Sequence, residues 1–115
     1  MITCYLRYVV SPDKLTDFEH YARLWVRLVE KFGGTHHGYF LPGESPSAAF
    51  SFPSVGEEGP SNVAIALFSF PGLDEYETYR QKAAHDAECR AATAYYEQTK
   101  CFIKYERSFM RPLTR

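Results

Sequence analysis

The amino-acid sequence predicts an α+β fold in which one antiparallel sheet carries helices on a single face. Four segments have the alternation or the β-branched and aromatic content of strands, and two regions place apolar residues at helical spacing. They follow one another in the order β-α-β-β-α-β. The chain has 115 residues, of which 45% are apolar, so its core needs no disulfide or structural metal. We expect residues 1–115 to form a single domain.

The first strand is predicted from Ile2 to Val10, with one wholly apolar face and one mixed face. Ser11, Pro12 and Asp13 then offer a cap, a proline at the first helical position and an acidic first turn. A helix is therefore expected to start here. Its apolar stripe ends before a Gly-Gly pair and consists of Leu15, Phe18, Ala22, Trp25, Val29 and Phe32.

The rest of the chain supplies three strands and a second helical region. Residues 35–41 read as a short aromatic strand, 62–70 as a strand that is apolar on both faces, and 101–110 as a half-exposed last strand. A helical region runs from 73 to about 99. This order is the ferredoxin-like split βαβ arrangement. The Pro-, Gly- and Ser-rich loop 42–61 is predicted either to close over a pocket as a lid or to act as a connector or an arm on another subunit.

One face of the predicted sheet has no element left to cover it. The side chains concerned are Tyr5, Ala64, Ala66, Phe68 and Phe70, or their alternates if the register is inverted. They are too apolar to face water, and a second copy docked sheet to sheet is the simplest cover. We therefore expect a homodimer. The 17% aromatic content, with nine Tyr, nine Phe and one Trp, also favours a partner or ligand surface.

The net charge and the cysteine pattern argue against several classes of protein. A net charge of −1 with mixed signs gives no field for a nucleic acid. The three cysteines, Cys4, Cys89 and Cys101, have no CxxC spacing and are expected to be buried thiols in a reducing compartment. No apolar run is long enough to span a bilayer, and no charged leader precedes the first strand, so a cytoplasmic protein without membrane contact is expected. No nucleophile elbow, phosphate loop or dinucleotide fingerprint is present.

Several short motifs follow one another along almost the whole chain. They are Met1-Ile2, Tyr8, Pro12-x-Lys14-Leu15, Gly33-Gly34, Gly38-Tyr39-Phe40, Ala64-x-Ala66-Leu67-x-Ser69-Phe70-Pro71, Tyr76-x-x-Tyr79-Arg80, Asp86-x-Glu88 and the run from Glu106 to Leu113. In their order and spacing these motifs resemble the NIPSNAP family. The resemblance implies a dimeric α/β barrel, whose relatives include cofactor-independent monooxygenases, isomerases, dehydratases and haem-binding proteins. The NIPSNAP branch itself has no settled chemistry, so the resemblance implies architecture more than activity.

The chain departs from the family pattern at two places. The family commonly carries Glu-Leu-Arg where this chain has Cys4-Tyr5-Leu6, so a contact made there is absent or is replaced by Arg7. The family's Asp-Pro-Glu is Asp86-Ala87-Glu88 here. Without the proline, the second helical region is expected to be more continuous.

The resemblance implies a ligand site between the helices and the sheet. Tyr8 and Trp25 fall on that side by periodicity, and Tyr76 and Tyr105 join them as candidate ligand-binding residues. The alternative is that these side chains are core fillers whose polar tips are satisfied.

Arg80, His37 and Tyr39 are the candidate catalytic residues. Arg80 lies on or beside the inward stripe, where its partner would be a ligand carboxylate or enolate, a nearby Glu106 or Asp86, or solvent. His36 and His37 point to opposite faces of a strand, so they cannot chelate one metal, and no metal site is expected. Tyr39, two residues beyond His37, should share its face, and the pair could handle a proton. A half-buried strand histidine without catalytic duty is the alternative.

Two functions remain open at this point. The first is an enzyme or binding protein for an aromatic or conjugated carbonyl compound that works without a tightly bound cofactor, in the manner of a monooxygenase, isomerase or lyase. The second is a non-catalytic homodimeric interaction or scaffold module. A weaker third is haem binding through an inward histidine.

Overall fold

The computed structural model describes residues 1–114 and contains one four-stranded antiparallel sheet with three helices. The strands are β1 (Ile2–Val10), β2 (Thr35–Phe40), β3 (Val63–Phe70) and β4 (Phe102–Met110); the helices are α1 (Leu15–Lys31), α2 (Leu73–His85) and α3 (Ala87–Thr99). The strand order is β2-β3-β1-β4. This confirms the predicted α+β, ferredoxin-like fold.

The central strands β1 and β3 decide which side chains face the helices. Cys4 of β1 lies opposite Phe68 of β3, and Tyr8 lies opposite Ala64. All four are buried beneath the helices, together with Val10, Ala66 and Phe70. The inverted register is therefore the one present: Ala64, Ala66, Phe68 and Phe70 belong to the inner face. Their alternates Val63, Ile65 and Leu67, with Tyr5, occupy the outer face and are only partly buried.

Aromatic side chains fill the layer between sheet and helices. Phe18 of α1 is completely buried and meets the Tyr8 ring edge-on at 5.1 Å between centroids. Further along the sheet, Tyr79 of α2 stacks on Phe70 at 5.0 Å. Burying one such side chain stabilises the fold by about 1.5–3 kcal/mol. Phe18, Ala22 and Val29 of the apolar stripe predicted for α1 are buried, whereas Leu15 at its start is exposed.

The first helix begins later than the sequence pattern predicts. A turn closed by the Lys14 N–H and the Ser11 carbonyl, 3.2 Å apart, precedes it, and Asp13 has a φ of 61°. The Ser11 hydroxyl donates to the Lys100 carbonyl at 2.6 Å. The helix starts at Leu15, so Lys14 takes the cap position in place of Ser11, and no side chain caps this end.

The second helical region is interrupted, which corrects the expectation of a more continuous helix. Asp86 has φ −86° and ψ 131°, so it is extended between α2 and α3. Its carboxylate accepts the Cys89 N–H at 3.0 Å and a hydrogen bond from Lys31 at 2.7 Å. A capped new helix start therefore imposes the break without proline. The Lys31 ammonium and this backbone contact hold the pKa of Asp86 at about 2.

Candidate functional site

A cavity of about 130 Å³ lies between the inner face of the sheet and helices α1 and α2. Six tyrosines line it: Tyr8, Tyr21, Tyr39, Tyr76, Tyr79 and Tyr105. A cavity of about 150 Å³ accommodates benzene, so this one has room for about one aromatic ring. The aromatic walls favour a flat ligand over water alone.

Most of the candidate residues meet at this cavity. Tyr8 reaches it from β1, Trp25 from α1, and Tyr76 and Arg80 from α2. Tyr39 and Tyr105 line it from the two edge strands, β2 and β4. His37 does not line it.

A bulge in β2 separates His37 from the cavity. The pairing of β2 with β3 shifts between His36 and Gly38, so His37 is the extra residue in the strand. Its Nε2 lies 2.8 Å from the Ser69 hydroxyl, which in turn lies 2.7 Å from the Thr3 hydroxyl, and both hydroxyls alternate to the outer face. The prediction that His37 and Tyr39 share a face is therefore wrong. That prediction assumed that residues two apart in a strand share a face, and the extra residue of a bulge reverses this alternation.

His36 takes the inward position that sequence reasoning gave to His37. Its ring stacks on Tyr39 at 5.1 Å with 14° between the planes, and it lies 5.6 Å from the Phe68 ring. The one available sequence signal was Gly38, because a glycine inside a strand often marks a bulge. Its φ of 109° is a conformation that suits glycine.

The protonation of His36 follows from its surroundings. The Gly38 N–H donates to Nδ1 at 2.9 Å, so Nδ1 is the acceptor and the proton of the neutral ring belongs on Nε2. Burial lowers the pKa of His36 from 6.5 to about 4; Glu30 opposes this shift and His37 adds to it. At neutral pH the ring is uncharged and presents an N–H donor through Nε2.

Two side-chain N–H groups at the cavity have no partner within hydrogen-bond distance and angle among the described residues, although the Tyr21 hydroxyl is near enough to Trp25 for the indole N–H to oppose the effect of burial on the pKa of Tyr21. They are Nε1 of Trp25 and Nε2 of His36, and both atoms are buried. An unsatisfied buried donor costs about 1–3 kcal/mol. Both residues line the same cavity, so an acceptor placed there could satisfy both groups.

The charged groups at the cavity are both cationic. Arg80 and Arg107 line it, and among residues 1–114 no carboxylate does. The acidic partners considered for Arg80 are engaged elsewhere, because Glu106 pairs with Arg7 at 3.0 Å and Asp86 with Lys31 at 2.7 Å. Arg107 instead donates to the Tyr76 hydroxyl at 3.4 Å, and Arg80 lies over the Tyr79 ring at 5.9 Å. The cavity therefore favours an anion.

The remaining polar groups keep their protons at neutral pH. Burial raises the pKa of Tyr8 and of Tyr39 well above the usual value of 10. Burial also raises the pKa of the Cys4 thiol to about 11, although Arg107 and Arg80 oppose the shift. Tyr8 and Tyr39 are thus neutral hydroxyls, and Cys4 is not a thiolate nucleophile.

The side chains do not fit a metal or a haem. Within residues 1–114, no three His, Cys, Asp or Glu side chains gather in a way that could hold a metal ion. His36 is the inward histidine, but a porphyrin has four pyrrole rings and the space beside His36 takes about one ring.

None of the helices described is long and apolar enough to cross a membrane.

The loop 42–61 does not contribute to the cavity. In the described part of the chain, none of its residues lines that space. Phe52 and Val55 are exposed to 72% and 81%, so the loop does not act as a closed lid in this conformation.

Fold and cavity together define a class, a ferredoxin-like α+β protein with a small aromatic cavity between sheet and helices. The particular family follows from the sequence, which matches the NIPSNAP family model over residues 5–114. The chain belongs to the NIPSNAP family. A search of curated proteins found no match.

Solved structures support the same fold. A NIPSNAP family protein of unknown function from Agrobacterium tumefaciens is similar with a TM-score of 0.73 and 16% identity, covering 98% of this chain and 94% of that one. An uncharacterised NIPSNAP domain protein from Burkholderia xenovorans has a TM-score of 0.72, 13% identity, and coverage of 98% and 95%. An antibiotic biosynthesis monooxygenase-like protein from Nitrosomonas europaea has a TM-score of 0.67, 8% identity, and coverage of 99% and 100%. At these identities the likeness shows the fold alone.

Proposed function

We propose that this protein binds a small aromatic or conjugated carbonyl compound in the cavity between its helices and sheet, without a tightly bound cofactor. The observation that carries the proposal is the cavity itself, which has room for about one ring and is walled by six tyrosines. Tyr8, Trp25, Tyr76 and Tyr105 are the proposed contacts for the ring. Arg80 is the proposed partner for negative charge on the ligand.

The cavity supports binding and charge stabilisation better than proton abstraction. His36 offers an N–H rather than a lone pair to the cavity, because its Nδ1 already accepts the Gly38 N–H. Tyr39 stays protonated, so it is a donor, and His37 lies on the other face of the sheet. If the protein is an enzyme, its substrate arrives as an anion or ionises readily, and Arg80 stabilises the developing charge.

We propose that a second copy covers the outer face of the sheet. Its side chains include Tyr5, Ile65 and Leu67, which are partly exposed, and no helix among residues 1–114 lies on that side. Sheet-to-sheet packing would remove this apolar surface from water in both copies.

We also propose that the protein works in the cytoplasm. Cys4, Cys89 and Cys101 are all free and buried, as suits thiols in a reducing compartment. Fractionation of the native cells, with the chain detected by antibody, tests this location.

Quenching of Trp25 tests the binding proposal, because this tryptophan is the only one in the chain and lines the cavity. Benzoate, salicylate, phenylpyruvate and haemin form the panel. We expect saturable quenching by at least one of the single-ring compounds and none by haemin. Leu6→Phe, which adds bulk at the cavity wall, should weaken it, whereas Leu113→Phe at a 93% exposed position should not.

A non-catalytic homodimeric module is the second candidate. The observation that favours it is the partly exposed apolar outer face of the sheet. That face would form a dimer interface whether or not the cavity binds a ligand. A panel without any saturable ligand, together with a stable dimer, would replace the binding proposal with this one.

A further inference from the structure

The cavity contains hydrogen-bond donors that nothing in the described residues satisfies. Trp25 Nε1 and His36 Nε2 are both buried and unpartnered, and they come from different elements, α1 and β2. An indole N–H is only a donor, and the tautomer of His36 makes its Nε2 a donor as well. Neither N–H group therefore has an acceptor in hydrogen-bond geometry among residues 1–114.

The His36 donor is held in place before any ligand arrives. The Gly38 N–H fixes one nitrogen of His36, and the rings of Tyr39 and Phe68 hold the imidazole plane. Burial lowers the pKa of His36 to about 4, so the ring stays neutral and keeps this tautomer at neutral pH. A preorganised donor loses little freedom when an acceptor binds.

The positive charge around the cavity indicates that the ligand supplying the acceptor is an anion. Arg80 and Arg107 line the same space, and no carboxylate from the described part of the chain does. Two guanidinium groups and two N–H groups together suit a carboxylate, which has four lone-pair sites on two oxygens. The volume of about 130 Å³ limits the rest of the ligand to about one ring.

We propose that the cavity is a site for a single-ring aromatic carboxylate, whose oxygens accept hydrogen bonds from His36 Nε2–H and Trp25 Nε1–H while the arginines supply the opposite charge. This rests on the proposed binding function and names its ligand class and its two recognition donors. A neutral ring of the same size would leave the positive charge of the arginines uncompensated. A cationic ring would be repelled by that charge and would also leave the two N–H donors without an acceptor.

Three soluble probes of one size test the ligand class: benzoate, benzyl alcohol and benzylamine. Titrations are followed by ¹H–¹⁵N NMR, in which the single indole N–H and the His36 Nε2–H are direct reporters. Benzoate should bind about tenfold or more tightly than benzyl alcohol, and benzylamine more weakly still. Both N–H signals should move downfield with benzoate, as they gain hydrogen bonds.

Two variants test the donors. Trp25→Phe keeps an aromatic wall and removes the N–H, and His36→Phe does the same in β2. Each should weaken benzoate about tenfold and narrow its advantage over benzyl alcohol. The matched control is His20→Phe, because His20 is exposed and its ring lies 4.6 Å from the Tyr95 ring, and neither residue lines the cavity. If His36→Phe fails to fold, the proposal is still tested by benzoate binding to Trp25→Phe and by the shifts of the two N–H signals in the unaltered chain.

The outcomes are distinguishable. If benzyl alcohol or benzylamine binds as tightly as benzoate, or if both folded variants bind benzoate like the unaltered chain, the acceptor assignment is overturned while the binding function stands. If none of the three probes and none of the quenching panel binds, both are overturned.

Discussion

Gly38 donates its backbone N–H to Nδ1 of His36, two residues before it in the same strand, at 2.9 Å. The contact exists because the bulge at His37 turns the strand and Gly38 adopts a φ of 109°. One short contact thus sets the tautomer of the buried imidazole and the face on which each histidine lies.

Gly38→Ala tests this contact. A Cβ at positive φ is strained although no atom lies within 4 Å of it, so we expect a loss of about 1–3 kcal/mol in the free energy of unfolding. Urea denaturation measures it. Gly59→Ala is the matched control, because that glycine also has open space but no positive φ, and it should change little. Equal effects at both positions would contradict the role of the bulge.

His36 should make stability depend on pH. Its pKa is about 4 in the folded chain and 6.5 when unperturbed, so the unfolded chain binds this proton more readily. Its contribution is fully present above pH 6.5 and is lost as pH falls toward 4. Urea unfolding at pH 7 and pH 4.5 should show a smaller pH dependence in His36→Phe than in the unaltered chain. An unchanged dependence would show that the folded ring is not held neutral.

Ala87→Pro should be tolerated. Ala87 is the first residue of α3, where a proline loses no helical hydrogen bond, and the extended conformation of Asp86 is the one that a following proline favours. We expect a change between neutral and about 1 kcal/mol of stabilisation in thermal or urea unfolding. Ala91→Pro, inside the same helix, should cost about 3 kcal/mol or more. A large loss from Ala87→Pro would mean that the break at Asp86 is not a helix start.

Asp86→Ala should destabilise the junction between α2 and α3. It removes the acceptor for the Cys89 N–H and the partner of Lys31, and loss of such a cap costs about 1 kcal/mol. Asp86→Asn keeps a capping oxygen without the charge and should cost less. Circular dichroism during urea unfolding compares the two variants, and equal losses would assign the effect to the ion pair.

Leu67→Lys should break the proposed homodimer. Leu67 lies near the middle of β3 on the outer face, and a charge there would oppose sheet-to-sheet packing. Sedimentation velocity at micromolar concentration should show a dimer for the unaltered chain and a monomer for the variant. A stable monomer of the unaltered chain would refute the proposed assembly.

The sequence predicted the order of elements well because strand alternation and the α1 stripe are strong local signals. Burial of Phe18 and Tyr8 follows directly from those periodicities. The faces of β2 could not be predicted in the same way, since one extra residue at His37 inverts the alternation beyond it. The break at Asp86 could not be predicted from the absence of proline, because a capping carboxylate such as that of Asp86 also interrupts a helix.

Arg80 and Tyr39 were placed near a pocket for sound reasons, but Arg107 and His36 were not singled out. Arg107 lies opposite Leu6 in the pairing of β4 with β1, a register that no local pattern specifies. Its approach to the Tyr76 hydroxyl depends on tertiary packing between β4 and α2. The contact between Arg107 and Tyr76 could be identified only from the packed structure, because the two residues lie on different elements.

A crystal structure of the protein soaked with benzoate is the sharpest test of the proposed carboxylate site. We expect ring density in the cavity among Tyr8, Tyr39 and Tyr79, with the carboxylate within hydrogen-bond distance of His36 Nε2 or Trp25 Nε1. A cavity closed by its own side chains, or benzoate bound only elsewhere on the surface, would contradict it.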